Sequence, residues 1–288
     1  MATSIDTKTQ ETFHDVPVVL PVAPTTDKTY LERVEATLDL VDETVDSAVV
    51  GDAETPNSKA TALAVSVVIP VYNERKTIVE LVGRVREMNL HQEIILVDDY
   101  SLDGTRDILL ELAKESDVRL LMHGYNRGKG AALRTAFAEV QGDVVLIQDA
   151  DLEYDPFDYP QLLAPIERGE ADVVYGSRFL ENPQQDPSWL HRLGNRMLTS
   201  LSNWMTGQHL TDMETCYKVF RREVLADIQI EQNRFGFEPE ITAKISRRGY
   251  KIHEVPIFYH SRGYDEGKKI GMRDGLKAIW CILKYRKS

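Results

Sequence analysis

Two cysteines in 288 residues, Cys216 and Cys281, are too few for a disulfide framework, and no Cys/His spacing matches a zinc site. No apolar run reaches the roughly 18 residues that a membrane span needs, and the N-terminus lacks the basic start and apolar core of a secretion signal. A reducing, cytoplasmic setting is therefore expected. Basic excess is missing too: the net charge of −12 excludes a general nucleic-acid binder. That charge is uneven. Residues 1–60 hold 12 acidic against 4 basic residues, so most of the acidity belongs to the leading segment. Phosphate-loop signatures are also absent, because Gly124-Tyr-Asn-Arg-Gly-Lys-Gly130 lacks Walker spacing and no G-x-G-x-x-G follows the first apolar run. ATPase and dinucleotide chemistry are thereby disfavoured.

What is present begins with a break in texture. Residues 1–60 are rich in Thr, Asp, Val and Pro and read as a mostly disordered extension, with helical spacing only over residues 30–45. From Val65 the chain alternates short β-branched runs with helical patterns. Strands are expected at residues 65–70, 93–97, 118–122, 144–147 and 172–175, and helices at 78–85, 105–114 and 130–140. This rhythm predicts an α/β fold with a doubly wound, mostly parallel sheet, divided as residues 1–60, a catalytic domain over 61–255 and a closing segment over 256–288.

Ligands of such sheets bind beyond the carboxyl ends of the strands. Those exits are chemically crowded: Pro70-Val-Tyr-Asn-Glu74, Asp98-Asp-Tyr-Ser-Leu-Asp-Gly-Thr105, the Gly124–Gly130 loop with Lys129, and Asp149-Ala-Asp-Leu-Glu153. Asp149 and Asp151 lie two apart, so an extended segment turns both carboxylates one way, with Glu153 next along that face. One or two carboxylates plus substrate phosphate oxygens is what Mg2+ or Mn2+ usually takes. Asp99 is placed to accept hydrogen bonds from a base or ribose. Asp103 has the composition of a helix cap and Asp155, before Pro156, that of a turn. Trp189 and Trp204 are expected to pack within a helix, and Cys216 to fill core.

Val67-Val-Ile-Pro-Val-Tyr-Asn-Glu74, Ile95-Leu-Val-Asp-Asp-Tyr-Ser-Leu-Asp-Gly-Thr105, Gln148-Asp-Ala-Asp151 and Gly176-Ser-Arg-Phe179 resemble the family 2 glycosyltransferases of GT-A fold. Within that family the likeness is to dolichyl-phosphate mannosyltransferases and related polyprenyl-phosphate glycosyltransferases, over about residues 65–285. The resemblance implies that Pro70, Tyr72, Glu74, Val97 and Asp99 hold the nucleoside, and that Asp149, Ala150 and Asp151 hold metal and diphosphate with Glu153 as a further ligand. It also implies that Arg178 and Arg192 sit near the transferred sugar and acceptor phosphate, while Arg262 and Lys268 close over the donor. The segment Thr211-Asp-Met-Glu-Thr-Cys-Tyr-Lys-Val-Phe220 departs from the mannosyltransferase pattern, with Lys218 in place of an arginine, a point charge for a bidentate fork.

The expected activity is inverting transfer of mannose or glucose from GDP-mannose or UDP-glucose to a polyprenyl phosphate, which is already ionised and needs no strong base. A soluble or protein hydroxyl acceptor would need one, with Asp212 or Glu214 as candidate. Glu238 and Glu240 are weaker candidates on the acceptor side. A non-catalytic nucleotide-sugar-binding protein is the remaining alternative. Residues 262–288 carry 8 basic against 3 acidic side chains, and Leu276, Ile279, Trp280 and Leu283 share one helical face. That face suits either an anionic leaflet, giving peripheral contact at the cytoplasmic side, or the protein core.

Overall fold

The computed structural model describes residues 63–181, 188–260 and 272–286. The acidic extension, with the helical spacing expected over residues 30–45, and Arg262 and Lys268 lie outside them. Seven strands form one sheet: β1 Val65–Val71, β2 Glu93–Asp98, β3 Val118–Met122, β4 Val144–Ile147, β5 Val173–Ser177, β6 Lys218–Arg221 and β7 Ile252–Pro256. Their spatial order is β3-β2-β1-β4-β6-β5-β7. β2, β1 and β4 are buried along their length apart from Pro70, which is why they read as continuous apolar runs rather than alternating ones.

The first three helices are α1 Ile78–Glu87, α2 Thr105–Leu112 and α3 Lys129–Phe137. α1 buries Ile78, Leu81, Val82 and Val85 at helical spacing. α3 presents Gly130, Ala131, Ala132 and Ala136, small residues that let it lie close to β1 and β2. Then follow α4 Tyr159–Glu167, α5 Trp189–Thr206, α6 Arg222–Ala226, α7 Phe237–Arg247 and α8 Met272–Tyr285. α5, α7 and α8 pack against one another.

One strand breaks the parallel rule, and it matters for the site. β6 runs antiparallel between β4 and β5, pairing Ile147 with Lys218 and Val145 with Phe220. A strand running backwards starts where its neighbours end, so residues 211–217, which precede β6, arrive at the carboxyl edge of the parallel strands. The register of β1 brings the other exits to that edge: Val71 lies opposite Asp98, Val68 opposite Ile147, and Gln148 N donates to Val68 O at 3.0 Å.

The expectation that Trp189 and Trp204 pack inside is overturned. They are 67% and 78% exposed, on a side of α5 turned away from the protein. The helix is anchored by Thr199 and Ser202, and its stripe of Trp189, Leu190, Leu193, Met197 and Trp204 falls on the opposite side. α8 has the same construction: Ala278, Cys281, Ile282 and Tyr285 are buried, while Leu276, Ile279, Trp280 and Leu283 are exposed. All three tryptophans of the chain are thus on the outer faces of two neighbouring helices.

Candidate functional site

The β4 exit is held from beneath by a residue that pattern reading passed over. Gln148 is fully buried; its Oε1 accepts from the hydroxyls of Tyr159 (2.9 Å) and Tyr217 (2.7 Å), and its Nε2 donates to the carbonyls of Asp149 (3.0 Å) and Tyr154 (3.3 Å). Thr77 Oγ1 donates to the Ala150 carbonyl at 2.8 Å. The turn carrying Asp149 and Asp151 is therefore fixed through its backbone. The signal for Gln148 is its chemistry: a buried amide directly after an apolar strand needs partners.

Asp149 meets Lys129 Nζ at 3.0 Å, and the same ammonium reaches Glu238 Oε1 at 3.1 Å. Burial opposes the Lys129 charge, but Asp149 and Glu238 outweigh it and hold its pKa well above the usual lysine value. Asp151 Oδ1 accepts from Glu153 N at 3.2 Å. Glu153, expected as a third metal ligand, has Oε2 on the Tyr259 hydroxyl at 2.8 Å. Among the described residues no three His, Cys, Asp or Glu side chains are gathered to hold a metal by themselves. The hard oxygen donors of Asp149 and Asp151 still fit Mg2+ or Mn2+ wherever a diphosphate completes the shell.

The β2 exit uses its acids differently. Asp98 is fully buried and accepts from Arg106 Nε (2.8 Å), the other Arg106 nitrogen (2.6 Å) and Ser101 N (3.0 Å). Asp99 accepts from Arg127 N (2.8 Å) and Gly128 N (2.6 Å) and pairs with His123 Nδ1 at 2.7 Å. It shapes the Gly124–Gly130 loop. Val97 is buried within β2, while Pro70, Tyr72 and Glu74 line the neighbouring β1 exit, half-buried, with Thr77 donating to Glu74 Oε2 at 3.0 Å. Asp155, expected in a turn, accepts from Phe157 N at 3.1 Å, while Asp103 accepts from Thr105 N at 3.0 Å one residue ahead of Gly104, which takes the cap position of α2.

Across the site the segment before β6 brings in a second charged group. Asp212 is fully buried and takes a two-pronged hydrogen bond from Arg178 (2.6 and 2.8 Å), with Asn195 of α5 donating at 3.0 Å. Burial favours protonation, but the Arg178 charge prevails and keeps the Asp212 carboxyl below its usual range. An anion held in this way is a poor proton acceptor, so Asp212 positions Arg178. Lys218 is fully buried, donates to the carbonyls of Met213 (3.0 Å) and Thr215, and lies 4.3 Å from the Tyr175 ring centre. It braces this loop from inside, and burial lowers its pKa to about 8. Arg192 stands half-exposed on the first turn of α5.

Glu214 is the counterpart of Asp212. Its Oε1 is buried without a hydrogen-bond partner, as is Glu238 Oε2. Burial and then the nearby Glu238 charge raise the Glu214 pKa to about 8. Cys216 is core, as expected, with burial and then Asp149 pushing its thiol well above the ordinary range.

A surface cavity of ≈ 540 Å³ lined by Asp143, Arg221, Arg222 and Glu223 lies at the opposite end of the sheet from the acidic strand exits.

Comparison with known proteins bears on this arrangement. Residues 66–229 match the profile of the family described as glycosyl transferase family 2. The chain is 32% identical over 227 residues to the glycosyltransferase AglJ of Haloferax volcanii, covering 78% of this chain and 72% of that protein. A crystal structure of glucosyl-3-phosphoglycerate synthase from Mycobacterium tuberculosis with Mg2+ and UDP superimposes with a TM-score of 0.62 at 21% identity, over 81% of this chain and 85% of that one. Mannosyl-3-phosphoglycerate synthase from Rubrobacter xylanophilus gives 0.60 at 20% identity, over 77% and 72%. These likenesses show the GT-A fold.

Proposed function

Because this chain belongs to glycosyl transferase family 2 and is a glycosyltransferase of GT-A fold, we propose that it moves a hexose, mannose or glucose, from a nucleotide sugar to a polyprenyl phosphate at a bilayer surface. The observation that carries the lipid acceptor is the two-sided α5. On its inner side Asn195 donates to Asp212, beside Arg178, and Thr199 Oγ1 accepts from Met213 N at 3.1 Å. Its outer side presents Trp189, Leu190, Leu193, Met197 and Trp204 to the surroundings. Exposed tryptophans on an amphipathic helix suit the headgroup boundary of a membrane. One helix thereby joins an acceptor-binding arginine to an apolar docking face. Among the described residues no helix is long and apolar enough to cross a membrane.

In this mechanism Pro70, Tyr72, Glu74 and Asp99 frame the nucleoside, Asp99 by shaping the loop that meets it. Asp149 and Asp151 would hold a divalent cation, which would neutralise charge on the departing diphosphate. Lys129, shared by Asp149 and Glu238, adds positive charge on the same side. Arg178, pre-aimed by Asp212, and Arg192 hold the acceptor phosphate, whose oxygen attacks the anomeric carbon from the face opposite the leaving group and inverts it. Arg262 and Lys268 complete the donor side as the resemblance implies.

A second reading has one observation in its favour. The pKa of Glu214, about 8, with a buried unpartnered oxygen, is that of a carboxyl able to serve as general base toward a hydroxyl acceptor. One assay separates the readings. Radiolabelled GDP-mannose and UDP-glucose are each incubated with Mg2+ or Mn2+ and polyprenyl phosphate, from pH 6 to 9. Chloroform-soluble label without a rise in rate through about pH 8 is the expected result. A rise that Glu214→Gln abolishes, with label in water-soluble product, would install the hydroxyl reading instead.

A further inference from the structure

The Gly124–Gly130 loop and residues 230–234 are locked together. Arg134 donates to the Ile230 carbonyl at 2.8 Å and Asn233 Oδ1 at 2.9 Å, and Arg234 donates to Asn126 Oδ1 at 3.1 Å. Gly128, at φ +97°, comes so close that a Cβ there would stand 2.4 Å from the Asn233 carbonyl oxygen. Between these segments and α8 lies a cavity of ≈ 360 Å³ lined by Tyr125, Asn126, Arg127, Asn233, Arg234 and Lys277.

Its lining carries charge of one sign only, from Arg127, Arg234 and Lys277, and none of the three makes an ion pair among the described residues. The acids that could neutralise them are engaged elsewhere: Asp99 with the loop backbone and His123, Glu231 with Lys244 and Lys284. Three cations gathered on braced segments repel one another, and the repulsion is relieved by an anion. Two guanidinium forks and an ammonium, with two side-chain amides beside them, match the oxygens of a phosphate group.

We propose that this cavity is a phosphate-binding subsite separate from the donor's diphosphate site. Lys129, on the far side of Gly128, turns to Asp149, while Arg127 turns to the cavity. Lys277 connects the cavity to the exposed side of α8, since Leu276 and Trp280 flank it on that helix and both are exposed. A phosphate there sits at headgroup level if α8 lies on a bilayer, an arm that rests on the lipid-acceptor reading above. Occupation by free phosphate or a phosphorylated soluble molecule does not rest on it.

The test uses the full chain and the double variant Arg234→Gln/Lys277→Gln. Flotation with phosphatidylcholine vesicles, with and without phosphatidylglycerol, is run beside titration with inorganic phosphate, and detergent-solubilised acceptor is turned over in parallel. Binding to anionic vesicles is expected to fall roughly thirtyfold in the variant, with neutral-vesicle binding and detergent turnover unchanged. Saturable phosphate binding lost in the variant, with no anionic-vesicle preference in the parent, supports the subsite with a soluble source. Two results overturn it: parent and variant alike in both arms, or bound phosphate displaced by GDP or UDP, which would make the cavity part of the donor site. Loss of detergent turnover in the parent tells against the proposed function alone, because the phosphate titration does not depend on it.

Discussion

Two strand exits on one edge of the sheet carry the same kind of sequence, a buried apolar run ending in paired acids, and spend those acids in opposite ways. At β2, Asp98 and Asp99 turn inward and collect an arginine, a histidine and three backbone N–H groups. At β4, Gln148 and Thr77 take the carbonyls of Asp149 and Ala150, while the Asp149 carboxylate pairs with Lys129 and Asp151 Oδ1 accepts from Glu153 N. Carboxylate count at a strand exit therefore does not identify a cation site. What differs is the partner of each carboxylate: Asp99 takes the N–H groups of a loop 28 and 29 residues away, Asp149 an ammonium and Asp151 the N–H two residues on.

The sharpest way to break this contrast is Asp151→Asn, expected to lower turnover about a thousandfold or more while leaving the melting temperature essentially unchanged. Near-normal metal-dependent activity would remove the β4 exit from the mechanism. Asp99→Asn should do the reverse. Replacing an acceptor with an NH2 group facing the Arg127 and Gly128 N–H groups should cost about 2–4 kcal/mol in urea unfolding. A stable Asp99→Asn protein that has lost nucleotide binding would instead make Asp99 a direct ligand contact.

Glu214 offers a test through pH. Its folded pKa, about 8, lies above the ordinary glutamate value of 4.5, so the folded state holds the extra proton between these values. This contribution to stability is full below about pH 4.5 and is lost as pH rises through about 8. Glu214→Gln should flatten that decline in urea midpoint against pH; an unchanged slope would mean that Glu214 is ionised in the fold. The smallest effect is expected at Asp155→Ala, about 1 kcal/mol from the lost bond to Phe157 N, with turnover intact. A large loss of activity there would extend the cation site beyond Asp149 and Asp151.

Much of this was legible because local and global demands agree. Residues 118–122 and 144–147 form strands where β-branched runs predict them, and the carboxyl-edge rule then gathers Pro70, Asp99, Lys129 and Asp149. Period-2 spacing puts Glu153 on the face of Asp149 and Asp151 only in extended chain, and Leu152 turns with φ 60°. Trp189 and Trp204 escaped because helical spacing identifies an apolar stripe and says nothing about what covers it.

The chain's own pattern of apolar runs and punctuating acids thus determined the α/β sheet, its acidic strand exits and the amphipathic α8. Tertiary structure alone decided which partner each acid takes, because that depends on donors brought from elsewhere in the chain, as with Gly128 N from 29 residues away at Asp99. It also decided that residues 211–217 face the site, through the reversed β6, and that two apolar helix faces stay uncovered. Hydrogen-bond satisfaction and burial are properties of neighbours in space, and neighbours in space are what a linear pattern leaves unspecified.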